Sequence, residues 1–90
     1  MQVTHEARQG RFLLEHEGTT SVLQYRMAGE EVMHMIRTFV APEFRGRGFG
    51  ARLVKTALDH AREQGYRVTS SCWFVDAYID QNPEYADLRA

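Results

Sequence analysis

Residues 45–50 read Arg-Gly-Arg-Gly-Phe-Gly and stand between an apolar run that ends at Val40 and a helix-forming segment that begins near Gly48. Glycine lets the backbone turn tightly and come close to a ligand, and the N–H groups at a helix start attract anionic oxygens. The two arginines add positive charge and forked donors that match phosphate. The segment therefore predicts a binding site for a ligand that carries a pyrophosphate.

Other glycine-rich phosphate loops fit these residues less well. A P-loop needs Gly-Lys followed by Ser or Thr, and no lysine follows the glycines here. A dinucleotide fingerprint would use Gly46, Gly48 and Ala51 after an N-terminal parallel strand, whereas antiparallel strands are predicted before this loop. A purely structural turn is the remaining alternative, but three glycines cost conformational entropy that Asp or Ser would not.

Cys72 is the sharpest candidate for a nucleophile. It follows a predicted strand directly and precedes a predicted helix. A thiol near a helix N-terminus ionises more readily, and the thiolate can accept an acyl group or assist a leaving thiolate. A lone cysteine is also commonly a small buried hydrophobe, and both interpretations stay open.

Two further candidates, His34 and Arg37, lie in the strand before the glycine loop. Met33 and Met35 flank His34, so alternation places His34 on the face opposite to theirs, and Arg37 is expected on the face away from His34. Histidine exchanges a proton near neutral pH, whereas arginine does not. Arg37 is therefore expected to bind an anionic substrate or to pair with a carboxylate.

Acidic side chains recur near the C-terminus at helical spacing, which suits a cationic amine but is more often typical of a solvated helix face. The histidines outside the third strand are expected at the surface or at strand ends, and their spacing indicates no metal site. The acidic residues are Asp76, Asp80, Glu84 and Asp87, and the histidines are His5, His16 and His60.

The elements that position these residues follow from periodicity. Strands are predicted over residues 11–17, 19–27 and 32–40, and turn residues between them make a three-stranded antiparallel meander. This meander accounts for the apolar and β-prone residues before the glycine loop.

A helix is predicted from the glycine loop to Gly65, because apolar residues recur there at three- and four-residue spacing. Residues 66–70 then form a fourth strand, which a right-handed crossover places parallel to the third. A second helix is predicted over residues 73–81, ending at Asn82-Pro83, and residues 84–88 add one more turn. The expected fold class is α+β, with helices on a mixed sheet.

Length and composition narrow the functional classes. Ninety residues predict one domain spanning residues 1–90, and a formal net charge of −1 provides no field for nucleic acid or an anionic membrane. The single cysteine fits a reducing compartment, and no apolar stretch approaches a membrane span or a signal peptide. A cytoplasmic protein that binds neither nucleic acid nor membrane is expected.

Residues 45–50 fit the pattern Arg/Gln-x-x-Gly-x-Gly/Ala, and in this respect the chain resembles the GNAT N-acetyltransferase superfamily, whose members bind acetyl-coenzyme A through such a loop. The preceding Val40 to Phe44 and the helix from Ala51 to Leu58 are also similar to the family. Ser71 to Val75 and Asn82 to Tyr85 resemble the tail of a short, single-domain subgroup, so the resemblance spans roughly residues 33–88.

The resemblance implies a minimal GNAT-like fold in which the third and fourth predicted strands splay apart to hold the pantetheine arm. A backbone N–H near Phe39 or Val40 is then the expected oxyanion donor. Independently of the resemblance, Tyr78 or Tyr85 is a candidate to protonate the leaving thiolate, although core packing explains both tyrosines equally well. Members of the short subgroup often carry histidine where this chain has Arg37. The implied acetyl-coenzyme A site comprises Phe39, Val40, Arg45, Gly46, Arg47, Gly48, Phe49 and Gly50.

The resulting expectation is an acetyl-coenzyme A-dependent acyltransferase that acetylates an amine, either by direct attack or through a Cys72 acyl intermediate. The acceptor is a protein or a small molecule, and the chain is expected to be a monomer or a weak homodimer. The alternative is a coenzyme A-binding sensor or interaction module without efficient catalysis. Arg37 favours the alternative somewhat, and Cys72 favours the enzyme.

Overall fold

The structure, a computed structural model, describes residues 2–90. Their strands form a single mixed sheet in which spatial order follows chain order. The first four strands pair antiparallel, and the fifth joins the fourth in parallel. These strands are β1 (Val3–Glu6), β2 (Arg11–His16), β3 (Thr19–Met27), β4 (Val32–Phe39) and β5 (Arg67–Ser70).

Two helices and three short 3-10 segments connect and cover the strands. Helix α1 (Phe49–Gln64) is the crossover between β4 and β5, and helix α2 (Trp73–Gln81) follows β5. The 3-10 segments are Ala7–Gln9, Pro42–Phe44 and Pro83–Leu88. The predicted α+β class, the parallel crossover and both helices are confirmed.

The prediction of a three-stranded meander was wrong, because β1 adds a fourth antiparallel strand and the parallel strand is therefore the fifth. β1 has only four residues and no glycine or proline marks its start. Its place depends on a distant partner, since it pairs with β2 and the His5 ring stacks on Phe12 with centroids 4.1 Å apart. Periodicity within four residues does not reveal such pairing.

The sheet has one covered and one open face. All the strand residues that are buried lie on the covered face, where alternation brings every second side chain. Helix α1 packs there with an apolar stripe that includes the fully buried Leu53, Ala57 and Leu58. The opposite face carries half-buried or exposed side chains such as Leu13 and Val22, and we call it the open face. No helix among residues 2–90 is long and apolar enough to span a bilayer.

A β-bulge interrupts β4. Tyr25 pairs with Met35 and the preceding Gln24 pairs with Arg37, so Ile36 is an extra residue without a partner on β3. An extra residue shifts the alternation of the strand that contains it. Arg37 consequently lies on the open face together with His34, and the prediction that they face opposite ways was wrong.

Candidate functional site

The candidate site lies where β4 and β5 stop pairing. Only Val32 to Met35 of β4 pair with β5, and the last link is the Ser71 N–H, which donates to the Met35 carbonyl at 3.0 Å. Beyond this point the chain turns into α2, while β4 continues to Phe39. The half of β4 that follows the bulge therefore has a free edge on this side, with main-chain groups available to a ligand.

A cavity of about 660 Å³ opens beside this free edge. It is bounded by the end of β4, the glycine loop, the first turn of α1 and the start of α2. All of the predicted site residues except Arg47 line it. The lining residues are Thr38, Phe39, Val40, Phe44, Arg45, Gly46, Gly48, Phe49, Gly50, Ala51, Cys72, Trp73 and Phe74.

The glycine loop leads into α1 through two left-handed residues. Gly46 and Gly48 both have φ of +82°, and a Cβ on either would meet no atom within 4 Å. The space beside the loop is thus open, and the left-handed backbone explains why glycine is used. Gly48 is the N-cap of α1, and no side-chain hydrogen bond caps this helix start. The first-turn N–H groups therefore remain available as donors with the positive end of the helix dipole.

The two arginines of the loop are held over aromatic rings. Arg45 donates from Nε to the Val40 carbonyl at 2.9 Å, and its guanidinium lies 5.9 Å from the Phe39 ring centroid. Arg47 does not line the cavity, because its guanidinium lies 5.3 Å and 5.7 Å from the ring centroids of Phe44 and Phe49. Cation–π contacts of this kind keep an arginine charge close to the loop without neutralising it.

Gly50 serves close packing rather than a special backbone angle. A Cβ at this position would lie 2.9 Å from Cζ of the Phe74 ring, so α1 and α2 approach each other here more closely than any side chain would permit. Phe74 thereby forms one wall of the cavity. Its neighbour Trp73 is 77% exposed and stands at the cavity rim. A large exposed aromatic beside an apolar cavity is available to contact a ligand or a partner.

Cys72 is buried and lines the cavity, so both interpretations of this residue agree with its place. It is the N-cap of α2, and Sγ lies 3.7 Å from Thr38 Oγ1 on β4. The Ser70 hydroxyl fixes the turn, because it accepts the Cys72 N–H at 2.9 Å and donates to the Cys72 carbonyl at 3.0 Å. The thiol is thus held across the gap between the two strands.

The other sequence candidates lie elsewhere. Tyr85 does not line the cavity, and its hydroxyl donates to Asp59 Oδ1 at 2.6 Å. Burial and this carboxylate raise the pKa of Tyr85, which disfavours ionisation. Two of the acidic residues near the C-terminus are paired with arginines, Asp80 with Arg89 at 3.0 Å and Asp87 with Arg62 at 2.9 Å. Tyr78 also lies outside the cavity lining.

Sequence reasoning missed several residues of the site. Thr38, Phe44 and Phe74 line the cavity, but a threonine in a strand and two phenylalanines beside it look like ordinary core residues in the sequence. On the open face, His34 contacts Thr69 and Ser71 across the β4–β5 pair. The two hydroxyl residues are 35 or more positions from His34 in the chain, so the sequence around His34 gives no sign of these contacts. Among residues 2–90, no three His, Cys, Asp or Glu side chains meet as metal ligands would.

Comparison with known proteins relates most of the chain to one family. Residues 11–88 match the model of the family described as GCN5-related N-acetyl-transferase. Protein NATD1 of Gallus gallus is 31% identical over 85 residues, which covers 92% of this chain and 77% of that protein. Protein NATD1 of Homo sapiens is also 31% identical, with 92% and 75% covered.

A solved structure agrees with the fold. The NMR structure of a GCN5-like protein from Staphylococcus aureus superposes with a TM-score of 0.78 and 23% sequence identity. The superposition covers 99% of this chain and 87% of that one. The likeness therefore extends to the whole sheet and both helices, including the short first strand.

Proposed function

The chain belongs to the GCN5-related N-acetyltransferase family, and we propose that it transfers an acetyl group from acetyl-coenzyme A to an amine. The single observation that carries the proposal is the uncapped start of α1 with its two left-handed glycines, beside a cavity between separating strands. We assign the acetyl-coenzyme A site to the predicted residues of β4 and the glycine loop, with acetyl-coenzyme A as cosubstrate.

The pyrophosphate is proposed to bind at the first turn of α1. The N–H groups of residues 47–50 would donate to its oxygens, and the open space beside Gly46 and Gly48 leaves room for them. Arg45 uses Nε for the Val40 carbonyl, so its two terminal nitrogens can still donate. Arg47 adds long-range attraction from its place on the aromatic rings.

The thioester end is proposed to lie along the free edge of β4. A pantetheine arm placed there would use main-chain groups that β5 leaves unpaired, as an added strand does. A backbone N–H near Phe39 or Val40 would then stabilise the oxyanion that forms on the thioester carbonyl. The apolar rings of Phe44, Phe49 and Phe74 limit water around the reacting atoms.

Two chemical routes fit this placement. In direct attack, a neutral amine adds to the thioester carbonyl, loses a proton and displaces the coenzyme A thiolate. In the covalent route, the Cys72 thiolate takes the acetyl group first, and the amine then releases it from Sγ. The position of Cys72 in the cavity wall supports the second route. Its burial as a small apolar residue supports the first.

Mass spectrometry separates these routes. Incubation with acetyl-coenzyme A without an amine should add one acetyl group at Cys72 if the covalent route operates. Cys72→Ala should then abolish amine acetylation while binding of acetyl-coenzyme A persists. Unmodified Cys72 and an active Cys72→Ala variant would leave direct attack as the route.

The acceptor is proposed to approach from the open face. No helix of residues 2–90 covers this face, so the acceptor site is shallow or is completed by a partner. A protein lysine, a small polyamine or a second copy of the chain in a weak dimer would fit such a site. Because its one cysteine is free, we place the activity in the reducing cytoplasm.

A coenzyme A-binding module without turnover is the second candidate, and Arg37 is the residue that favours it. Calorimetric titration with acetyl-coenzyme A tests the premise that both functions share. Release of coenzyme A thiol in the presence of spermidine or lysine-bearing peptides then distinguishes enzyme from binder. Failure to bind acetyl-coenzyme A at millimolar concentration would overturn both.

A further inference from the structure

His34, Ser71 and the bulge residue Ile36 meet on the open face at the point where β4 and β5 separate. His34 Nδ1 lies 2.7 Å from the Thr69 hydroxyl, and His34 Nε2 lies 3.2 Å from the Ser71 hydroxyl. The Ser71 hydroxyl also lies 3.3 Å from the Ile36 carbonyl. The residues proposed above to bind acetyl-coenzyme A do not include this group.

The Ser71 hydroxyl has one proton and two nearby acceptors. When it donates to the Ile36 carbonyl, His34 donates from Nε2 to Ser71 and accepts from Thr69 at Nδ1. When it rotates to donate to Nε2, His34 donates from Nδ1 to Thr69 instead. The two distances from Ser71 are nearly equal, so rotation of one hydroxyl and exchange of the histidine tautomer interconvert the arrangements. In the second arrangement, the Ser71 oxygen is free to accept a further proton.

The strand positions that flank His34 hold no carboxylate that would compete for its proton. Arg26 is its partner on β3, and Thr69 is its partner on β5. The charged residues next along the same face are Arg67 on β5 and Arg37 beyond the bulge. Every charged side chain at these flanking strand positions is an arginine, which neither accepts nor donates a proton near neutral pH.

The hydroxyl is also next to the site. Ser71 immediately precedes the cavity residue Cys72, and its N–H makes the last main-chain link between the separating strands. An amine that enters from the open face toward the free edge of β4 therefore passes the Ser71 side chain. Arg37 offers no base there, whereas His34 does.

We propose that His34, acting through the Ser71 hydroxyl, takes the proton that the acceptor amine loses during acetyl transfer; this rests on the function proposed above. The amine nitrogen bonds to the thioester carbonyl carbon, and its proton passes to Ser71 Oγ while the Ser71 proton passes to His34 Nε2. The C–S bond then breaks, the coenzyme A thiolate takes a proton from solvent, and His34 returns its proton to solvent. His34 is thus a positioning residue and proton acceptor that does not contact the substrate.

His34→Gln tests this inference, because glutamine still hydrogen-bonds to Ser71 but accepts no proton. With acetyl-coenzyme A and spermidine, we expect kcat/KM to fall about 100-fold, the usual range for loss of a general base. The wild-type rate should decline in acid, because a protonated His34 cannot take a second proton, and the variant should lack this decline. The Kd for acetyl-coenzyme A should stay unchanged, and His60→Gln, at a position outside the cavity lining, should match the wild type.

A second comparison tests the relay itself. If His34 and Ser71 act as one unit, Ser71→Ala should lower kcat/KM about as much as His34→Gln does. The double variant should then have about the same kcat/KM as either single variant. NMR titration of the His34 ring nitrogens gives a readout independent of turnover, and its midpoint should coincide with the midpoint of the pH–rate profile. An active His34→Gln variant, an unchanged pH profile or additive losses would overturn the inference alone. A wild-type protein that binds acetyl-coenzyme A without turnover would overturn the proposed enzyme together with it.

Discussion

The two ends of helix α1 are built in opposite ways. At the C-terminal end, Gly65 is left-handed with φ of +75°, its N–H donates to the last turn, and the Tyr66 N–H reaches the Ala61 carbonyl at 2.8 Å. At the N-terminal end, Gly48 is left-handed in the same way, but no side chain caps the turn. One end has its polar groups satisfied by the protein, and the other keeps them for a ligand.

The side chains near each end follow the same division. Around the C-terminal half, Lys55, Asp59 and Tyr85 form a hydrogen-bonded cluster, and Arg62 holds Asp87 through two bonds. The N-terminal end has the glycine loop, with Arg45 and Arg47 over aromatic rings, and the cavity. The comparison teaches that the C-terminal half of α1 contributes stabilising hydrogen bonds, whereas its N-terminal end keeps donors and space for a ligand.

The sharpest test exchanges glycine for alanine at each end. Gly48→Ala and Gly65→Ala place the same Cβ on the same left-handed backbone, and neither Cβ meets an atom within 4 Å. Both should lose about 1–2 kcal/mol of unfolding free energy from backbone strain. Only Gly48→Ala should raise the Kd for acetyl-coenzyme A, by about tenfold, since it obstructs a contact worth about 1–2 kcal/mol.

Urea denaturation and calorimetric titration measure the two effects separately. Equal losses of affinity in both variants would show that affinity depends on the stability of the whole fold rather than on the glycine loop. Equal stability with unequal affinity would locate the site at the uncapped end.

A smaller effect is expected from Tyr85→Phe, which removes the hydroxyl that donates to Asp59. Burial acts to raise the pKa of Asp59, but hydrogen bonds from Tyr85 and Lys55 outweigh it and hold that pKa below the usual range. We expect the variant to lose about 1 kcal/mol of unfolding free energy at neutral pH. The loss is no larger because Asp59 is partly exposed to solvent. Affinity for acetyl-coenzyme A should not change.

The pH dependence gives the sign of this effect. A lowered folded-state pKa stabilises the fold above the unfolded value of about 3.9, and the gain is lost as pH falls through the folded-state pKa. The stability difference between wild type and Tyr85→Phe should therefore shrink in acid. Tyr78→Phe is the matched control, since the Tyr78 hydroxyl makes no hydrogen bond within residues 2–90. A loss that persists in acid would point to packing instead.

The smallest expected effect concerns His5 on β1, whose ring contacts the ring of His60 in the C-terminal half of α1. Burial and the nearby His60 lower the pKa of His5, and its Nε2 lies 2.5 Å from the Tyr25 hydroxyl. A lowered histidine pKa means that stability is complete above about pH 6.5 and declines below it toward the folded-state value. Tm should fall by about 1–3 °C over this range, and His5→Gln should remove the decline. A decline that survives the substitution would assign it to another group.

Local signals allowed the helices to be predicted. The glycine loop and Gly65 define the two ends of α1, and Asn82-Pro83 ends α2 after Gln81. Turn glycines likewise separated β2, β3 and β4. These boundaries depend on the backbone preferences of a few adjacent residues, so they can be read from the sequence.

The missed features depend on contacts between distant residues. β1 was not predicted because its order comes from pairing with β2, and the bulge at Ile36 was not predicted because a strand's register exists only relative to its partner. The same applies to the site: its loop was predicted from six consecutive residues, but Phe74 and the His34–Ser71 contact required the crossover. Whether the predicted site residues bind acetyl-coenzyme A stays a prediction.

The bulge at Ile36 reverses which residues of β4 face the helices. Upstream of Ile36, β4 turns its odd-numbered residues toward the helices, and downstream it turns its even-numbered residues that way. If Ile36 were instead paired as a regular strand residue, Thr38 would face the open side and Phe39 would face the helices, the reverse of what the bulge produces. The core contacts of Met33 and Met35 precede the bulge and would be unaltered, so this one extra residue determines which side chains of β4 reach the cavity without changing the core beneath the sheet.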